Sequence, residues 1–198
     1  MTKAKLIAAC AALGAVIAQS PEAKAEPMTH DGFYMSLQAG FGYLSTSTDF
    51  DETLSGVTYS SAVMLGGTVG PVVIGGGFTY DNAFSPTYKA GGQEVDLDDV
   101  KLYLLGFGGF ADIYVDPAEG LHFPIFLGWG GLEASVNGNV GGSDPTGLVV
   151  AVGGGYDFWV ADEWSVGPLA RFTYAPLKLN DASYNTKQFT VVADIKFH

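Results

Sequence analysis

Three kinds of residue in this chain are equipped for chemistry. The first are three histidines, His30, His122 and His198. Imidazole can act as a general base or activate a nucleophile, but only within hydrogen-bond reach of its partner. None of the three stands beside a serine at a suggestive spacing, and no cysteine accompanies them in a zinc-ligand pattern. Neither a catalytic site nor a metal site is therefore expected from them. The second kind are isolated charges set into apolar surroundings: Asp81, Asp157, Arg171, Asp194 and Lys196. Charges in a low-dielectric setting need partners, so these five point to an interior ion-pair network. They are equally the groups that would line a narrow pore or gate. The third kind are acidic runs, Asp49/Asp51/Glu52 and Glu94/Asp96/Asp98/Asp99. Oxygen ligands of this sort suit calcium, yet the Gly and Glu spacing of a defined calcium loop is missing, so a solvated acidic rim is the plainer reading.

The elements that must position these residues show a period of two. Eight stretches alternate apolar with small or polar residues: Phe33–Leu44, Val57–Val69, Val72–Ala83, Val100–Tyr114, Leu121–Val136, Leu148–Trp159, Trp164–Tyr174 and a terminal strand beginning at Phe189. In the last, Phe189, Val191, Ala193, Ile195 and Phe197 form one face, with Thr190, Asp194 and Lys196 on the other. In the fourth, Lys101 and Asp112 have opposite parity. Either a bulge near Gly108-Gly109 brings both inside, or one charge lies outside. Connections alternate as well. Gly70-Pro71, 115–120 and 160–163 are short, whereas 45–56, 84–99, 137–147 and 175–187 are longer and polar. The run Gly106-Phe107-Gly108-Gly109-Phe110-Ala111 matches a dinucleotide fingerprint, but no helix follows it, so nucleotide binding fails its context test.

Which face is wet follows from size. The alternating stretches are longer than the ~5–6 residues usual in globular sheets and match the ~9–11 of a tilted membrane strand. An eight-stranded barrel has an interior just wide enough for side chains. Rows of Phe, Leu and Tyr would overfill it, whereas glycines and small polar residues fit. The bulky faces must then point outward, which only lipid favours. Closure also pairs every backbone N–H and C=O without water. Aromatics fall near both ends of the strands. Phe33, Phe123, Phe158, Trp159, Trp164 and Phe197 lie toward the short turns, and Tyr43, Tyr59, Tyr80 and Tyr174 toward the long loops. They are expected to form two interfacial girdles.

Composition sets the remaining bounds. The 198 residues are 47% hydrophobic and 15% charged, with 28 glycines, so one domain of strands and turns suffices. A formal charge of −12 argues against nucleic acid, which needs a basic face. Residues 1–25 read as a cleaved secretory signal peptide: Lys3 and Lys5, an apolar core from Leu6 to Ala18, and an Ala23-Lys24-Ala25 cleavage site. The single cysteine, Cys10, goes with it, which excludes a disulfide framework. Residues 26–198 then form one outer-membrane barrel.

An N-terminal signal, eight alternating strands and a last strand ending in an aromatic resemble the small eight-stranded outer-membrane barrels of Gram-negative bacteria, the group of OmpX-like, OmpW-like and OmpA-transmembrane-domain proteins. The resemblance is architectural and covers roughly Glu26 to His198. It implies an all-β fold, an eight-stranded antiparallel up-and-down transmembrane β-barrel. It implies a surround of outer-membrane lipid and lipopolysaccharide, and use of the barrel-assembly machinery during insertion. The terminal aromatic signal of that group is shifted here by one, since His198 follows Phe197. No cell-wall-binding domain follows, so an OmpA-type tether is not expected. Some barrels of this size act on lipid A, one family through a His/Ser/acid triad, but the histidines here do not fit that pattern and no enzyme or cofactor is expected. The expected function is structural or interactive, through four surface loops above a largely plugged lumen. A narrow conduit for small or hydrophobic molecules is the alternative, and a lipid-modifying enzyme a more distant one.

Overall fold

The computed structural model describes residues 28–140 and 144–198; the signal peptide read over residues 1–25 lies outside them. The strands are β1 (Phe33–Thr48), β2 (Thr53–Val69), β3 (Val72–Phe84), β4 (Thr87–Ala90), β5 (Gln93–Asp96), β6 (Val100–Tyr114), β7 (Leu121–Val136), β8 (Asn139–Val140), β9 (Thr146–Tyr156), β10 (Phe158–Ala161), β11 (Trp164–Leu179) and β12 (Ala182–Phe197). Eight of them form the wall in the order β1-β2-β3-β6-β7-β9-β11-β12, each antiparallel to its neighbours. The wall closes where β12 returns to β1, from Met35 opposite Phe197 to Thr48 opposite Tyr184. Beyond Asp157, β10 continues β9 along β11. No edge is left open, so the backbone polar groups of the wall are paired within it.

Alternation decides the two surfaces. Phe41, Val57, Phe107, Leu127 and Val191 are more than half exposed on the outside. In water, exposing a side chain of this size forgoes about 1.5–3 kcal/mol each, so an outer wall built of them belongs in lipid. The inner faces are close-packed, and glycine is required where strands approach. Gly108 and Gly128 sit opposite each other on β6 and β7. A Cβ on Gly108 would strike the Leu127 carbonyl oxygen, and one on Gly128 that of Phe107.

The structure decides one open alternative and corrects one expectation. The pairing of β6 runs without a break from Val72 opposite Ile113 to Phe84 opposite Lys101, and likewise against β7. There is no bulge: Asp112 is buried in the lumen, and Lys101 stands on the outer face with its ammonium 5.8 Å from the Phe84 ring. The second concerns loops. The spans 45–56 and 175–187 are mostly strand, because β1 and β2 are joined by only residues 49–52, and β11 and β12 by Asn180-Asp181. Apolar alternation fades there, but Ser, Thr and Asn still pair across the ladder, and Asn180 at φ +53° makes the tight turn. The one long excursion fully described, 85–99, folds into the β4–β5 hairpin, which leans on β2.

Candidate functional site

The inner faces stack in three layers along the barrel axis. Nearest the ends of β1 and β11 are Leu44, Leu102, Leu104, Leu132 and Leu177, all buried. They are inward residues that period-two reading had assigned to small side chains, and they form an apolar stopper under the loops. Phe110, Phe126 and Met64 continue this core downward.

The middle layer centres on Arg171 of β11. Its Nη2 donates to Ser60 Oγ at 2.8 Å and lies 3.6 Å from Asp81 Oδ1, across the lumen on β3. Its Nη1 donates to Gln38 Oε1 at 3.0 Å. The Ser60 hydroxyl donates in turn to Asp81. Gln38 Nε2 donates to Asp194 Oδ2 at 3.1 Å, which wires this layer to the one below.

The lowest layer surrounds Lys196, which is wholly buried. Its Nζ donates to Asp157 Oδ2 at 2.8 Å, to Tyr114 Oη at 3.1 Å and to Asp112 Oδ2 at 3.4 Å, with Asp194 Oδ2 at 3.7 Å. Ser36 donates to Asp194 Oδ1 at 2.6 Å, and the Tyr114 hydroxyl to Asp157 Oδ2 at 3.0 Å. His122 Nδ1 lies 2.9 Å from Asp112 Oδ1. Asp81, Asp157, Arg171, Asp194 and Lys196 thus all lie in the lumen, in two groups. Asp112, whose side was left open by the sequence, Tyr34, His122 and Tyr114 complete the lower group and were not read as its members. Parity was the signal: each is the inward member of its strand.

A short strap closes this end. Residues 28–32 cross the mouth, pinned by Met28 N to Asp162 O at 2.9 Å, His30 N to Pro117 O at 3.0 Å, and Thr68 N to Gly32 O at 2.9 Å. His30 stacks on Tyr114 with ring centroids 3.8 Å apart. His198, at the end of β12, packs against it; His30 Nδ1 and His198 Nε2 are 3.0 Å apart. Burial lowers the His30 pKa to about 4 and that of His198 further, so both rings are neutral at ordinary pH. Ser165 Oγ lies 3.1 Å from His198 Nε2. The histidines are therefore not scattered: closure of β12 on β1 joins residues 168 positions apart. The Ser–His contact is sealed, since Ser165 and both rings are buried.

Phe33, Phe123, Phe158, Trp164 and Phe197 lie on the outer wall at the strap end, and Tyr43, Tyr59, Tyr80 and Tyr174 on the outer wall toward the loops. Trp159 is a correction. It neighbours outward Phe158, so alternation turns it inward, where it stacks on His30 at 4.5 Å and meets His198 edge-on at 5.2 Å. The acidic loop residues brace the rim. Glu52 accepts from the Tyr88 hydroxyl at 2.7 Å and Asp96 from Thr87 at 2.7 Å. Glu94 pairs with Lys89 at 2.6 Å, and Asp49 accepts from the Ser183 amide at 2.9 Å.

No protein-family model matches the sequence, and no curated protein does. Solved structures do match. The chain resembles Neisserial surface protein A, NspA, at 20% identity over 84% of this chain and 96% of that one, with a TM-score of 0.53. It resembles the outer membrane protein OprG from Pseudomonas aeruginosa at 12% identity over 87% and 100%, with a TM-score of 0.54. The fold is that of the small eight-stranded outer-membrane barrels.

Proposed function

We propose that this chain is an outer-membrane barrel with a closed lumen that acts through its loop-bearing end, as a structural or interaction protein rather than a conduit or an enzyme. One observation supports the reading: buried side chains occupy the lumen in successive layers. The leucine stopper, the Arg171 layer, the Lys196 layer and the strap follow one another. The interior cavity bounded by Tyr34, Gln38, Met64, Phe110 and Arg171 measures about 20 Å³, room for about one water.

The outer wall is the partner of lipid, and the rim above it meets lipopolysaccharide. Insertion by the barrel-assembly machinery fits a last strand that pairs along its length with the first. At the loop end, the β4–β5 hairpin is held by Tyr88–Glu52 and Lys89–Glu94, so the surface offered to a partner is ordered rather than slack. Single-channel recording in planar bilayers tests the reading. Silence is the expected result; discrete conductance steps would replace the closed barrel with the conduit.

A further inference from the structure

The three layers and the strap explain how the lumen is closed, but they leave the strap end with unanswered polar atoms. His30 Nε2 and Asp157 Oδ1 are buried and have no hydrogen-bond partner. Both residues are at least 98% buried, and His198 is nearly so. One ligand atom from each of His30, Asp157 and His198 lies within 4.8 Å of the others. A tetrahedral ion with bonds of about 2.0–2.2 Å draws such atoms to within roughly 3.5 Å of one another, so closing the set takes only small side-chain movements.

Charge points the same way. Asp112, Asp157 and Asp194 bring three negative charges to this end, against one positive charge on Lys196. A surplus of carboxylates over ammonium groups is costly in a buried setting. The carboxylate of Asp157 is also divided in use. Lys196 and Tyr114 both donate to Oδ2 and orient the group, while Oδ1 accepts no hydrogen bond and has His122 Nε2 at 3.6 Å. A ligating carboxylate held by outer hydrogen bonds has this form.

We propose that His30, His198 and Asp157 form a site for a borderline divalent transition ion of the zinc class, which staples the strap to the barrel mouth. Two imidazoles and one carboxylate suit such an ion better than calcium or magnesium, which take oxygen ligands. Ser165, 3.1 Å from His198, orients that ring or supplies a fourth oxygen. The site joins the strap, the β9–β10 junction and the residue after β12, so binding ties the strap and the residue after the last strand together at one mouth of the barrel. The inference stands independently of whether the loops bind a partner.

Equilibrium dialysis tests it on the tag-free full-length protein in detergent micelles, stripped with chelator and exposed to Zn²⁺ alone. One equivalent should be retained. The His30→Phe variant, which keeps the stack on Tyr114 but loses both nitrogens, should bind at least about tenfold more weakly, and Asp157→Asn likewise. Cold and boiled gel mobility checks that each variant closes. Equal retention by wild type and His30→Phe, as from the acidic rim, would overturn the proposal, and so would no retention at all. If a variant fails to close, quenching by Co²⁺ in a Trp129→Phe/Trp164→Phe chain decides. Trp159, stacked on His30, should be quenched at one equivalent, and an unquenched indole would refute the site.

Discussion

At the scale of single residues, the lumen is a set of charges that are tolerable only together. Among the described residues, Lys196 is the one ammonium paired with Asp112, Asp157 and Asp194. Lys196→Met should cost about 3–5 kcal/mol, because it strands carboxylates in a dry interior. Urea unfolding in lipid vesicles measures it; an unchanged midpoint would mean that the carboxylates answer one another through shared protons. Arg171 and Asp81 form a separate pair, with Ser60 and Gln38 as go-betweens. A double-mutant cycle of Arg171→Leu and Asp81→Asn should return a coupling of about 1–3 kcal/mol. Additive losses would show that Ser60 and Gln38, not the Asp81 carboxylate, hold the guanidinium. The five charges read from sequence were the ones that interrupt an apolar pattern. His122, Tyr34 and Tyr114 were not legible as their partners, because nothing local distinguishes a ring that faces a lysine from one that faces lipid except the parity of its strand.

At the scale of elements, the strap and the paired glycines do different work. Residues 28–32 lie outside the ladder of the wall, held by three backbone hydrogen bonds and the His30 stack. Removing them should leave closure intact and open the mouth. A Ser165→Cys probe, in a chain without Cys10, should react slowly with a charged maleimide in the intact protein and much faster without the strap. Equal rates would show that the strap is not the seal. Gly108 and Gly128 belong instead to the wall itself. Gly128→Val should prevent closure, seen as loss of the heat-dependent shift on gels, because its Cβ has only the Phe107 carbonyl to occupy. The strand extensions past the apolar alternation were invisible for a related reason. Ladder hydrogen bonds are made by backbone, and Ser45 to Thr48 carry no hydropathy signal of the pairing they make with Tyr184 to Lys187.

At the scale of the whole molecule, closure turns the eight wall strands into one object. A closed wall has no free edge from which unfolding can begin, so the protein should resist SDS when cold and change mobility when boiled. It should fractionate with the outer membrane. A soluble protein without a mobility shift would contradict the lipid-facing wall. On the proposed reading of a closed lumen, Arg171→Ala should remain electrically silent in bilayers; conductance appearing in that variant would make the Arg171 layer the gate.

Period-two alternation, the length of the alternating stretches and the size contrast between their faces determined the barrel and its inside-out polarity from sequence alone. Those are local properties, because a strand's two faces are set by adjacent residues and a narrow lumen admits only one assignment of bulk. Register and closure decided the rest. They set Asp112 rather than Lys101 inside, turned Trp159 from the girdle to the mouth, and brought His30 to His198 from opposite ends of the chain. Such contacts depend on how far each strand is shifted against the next around the whole ring, and no stretch of sequence carries that sum.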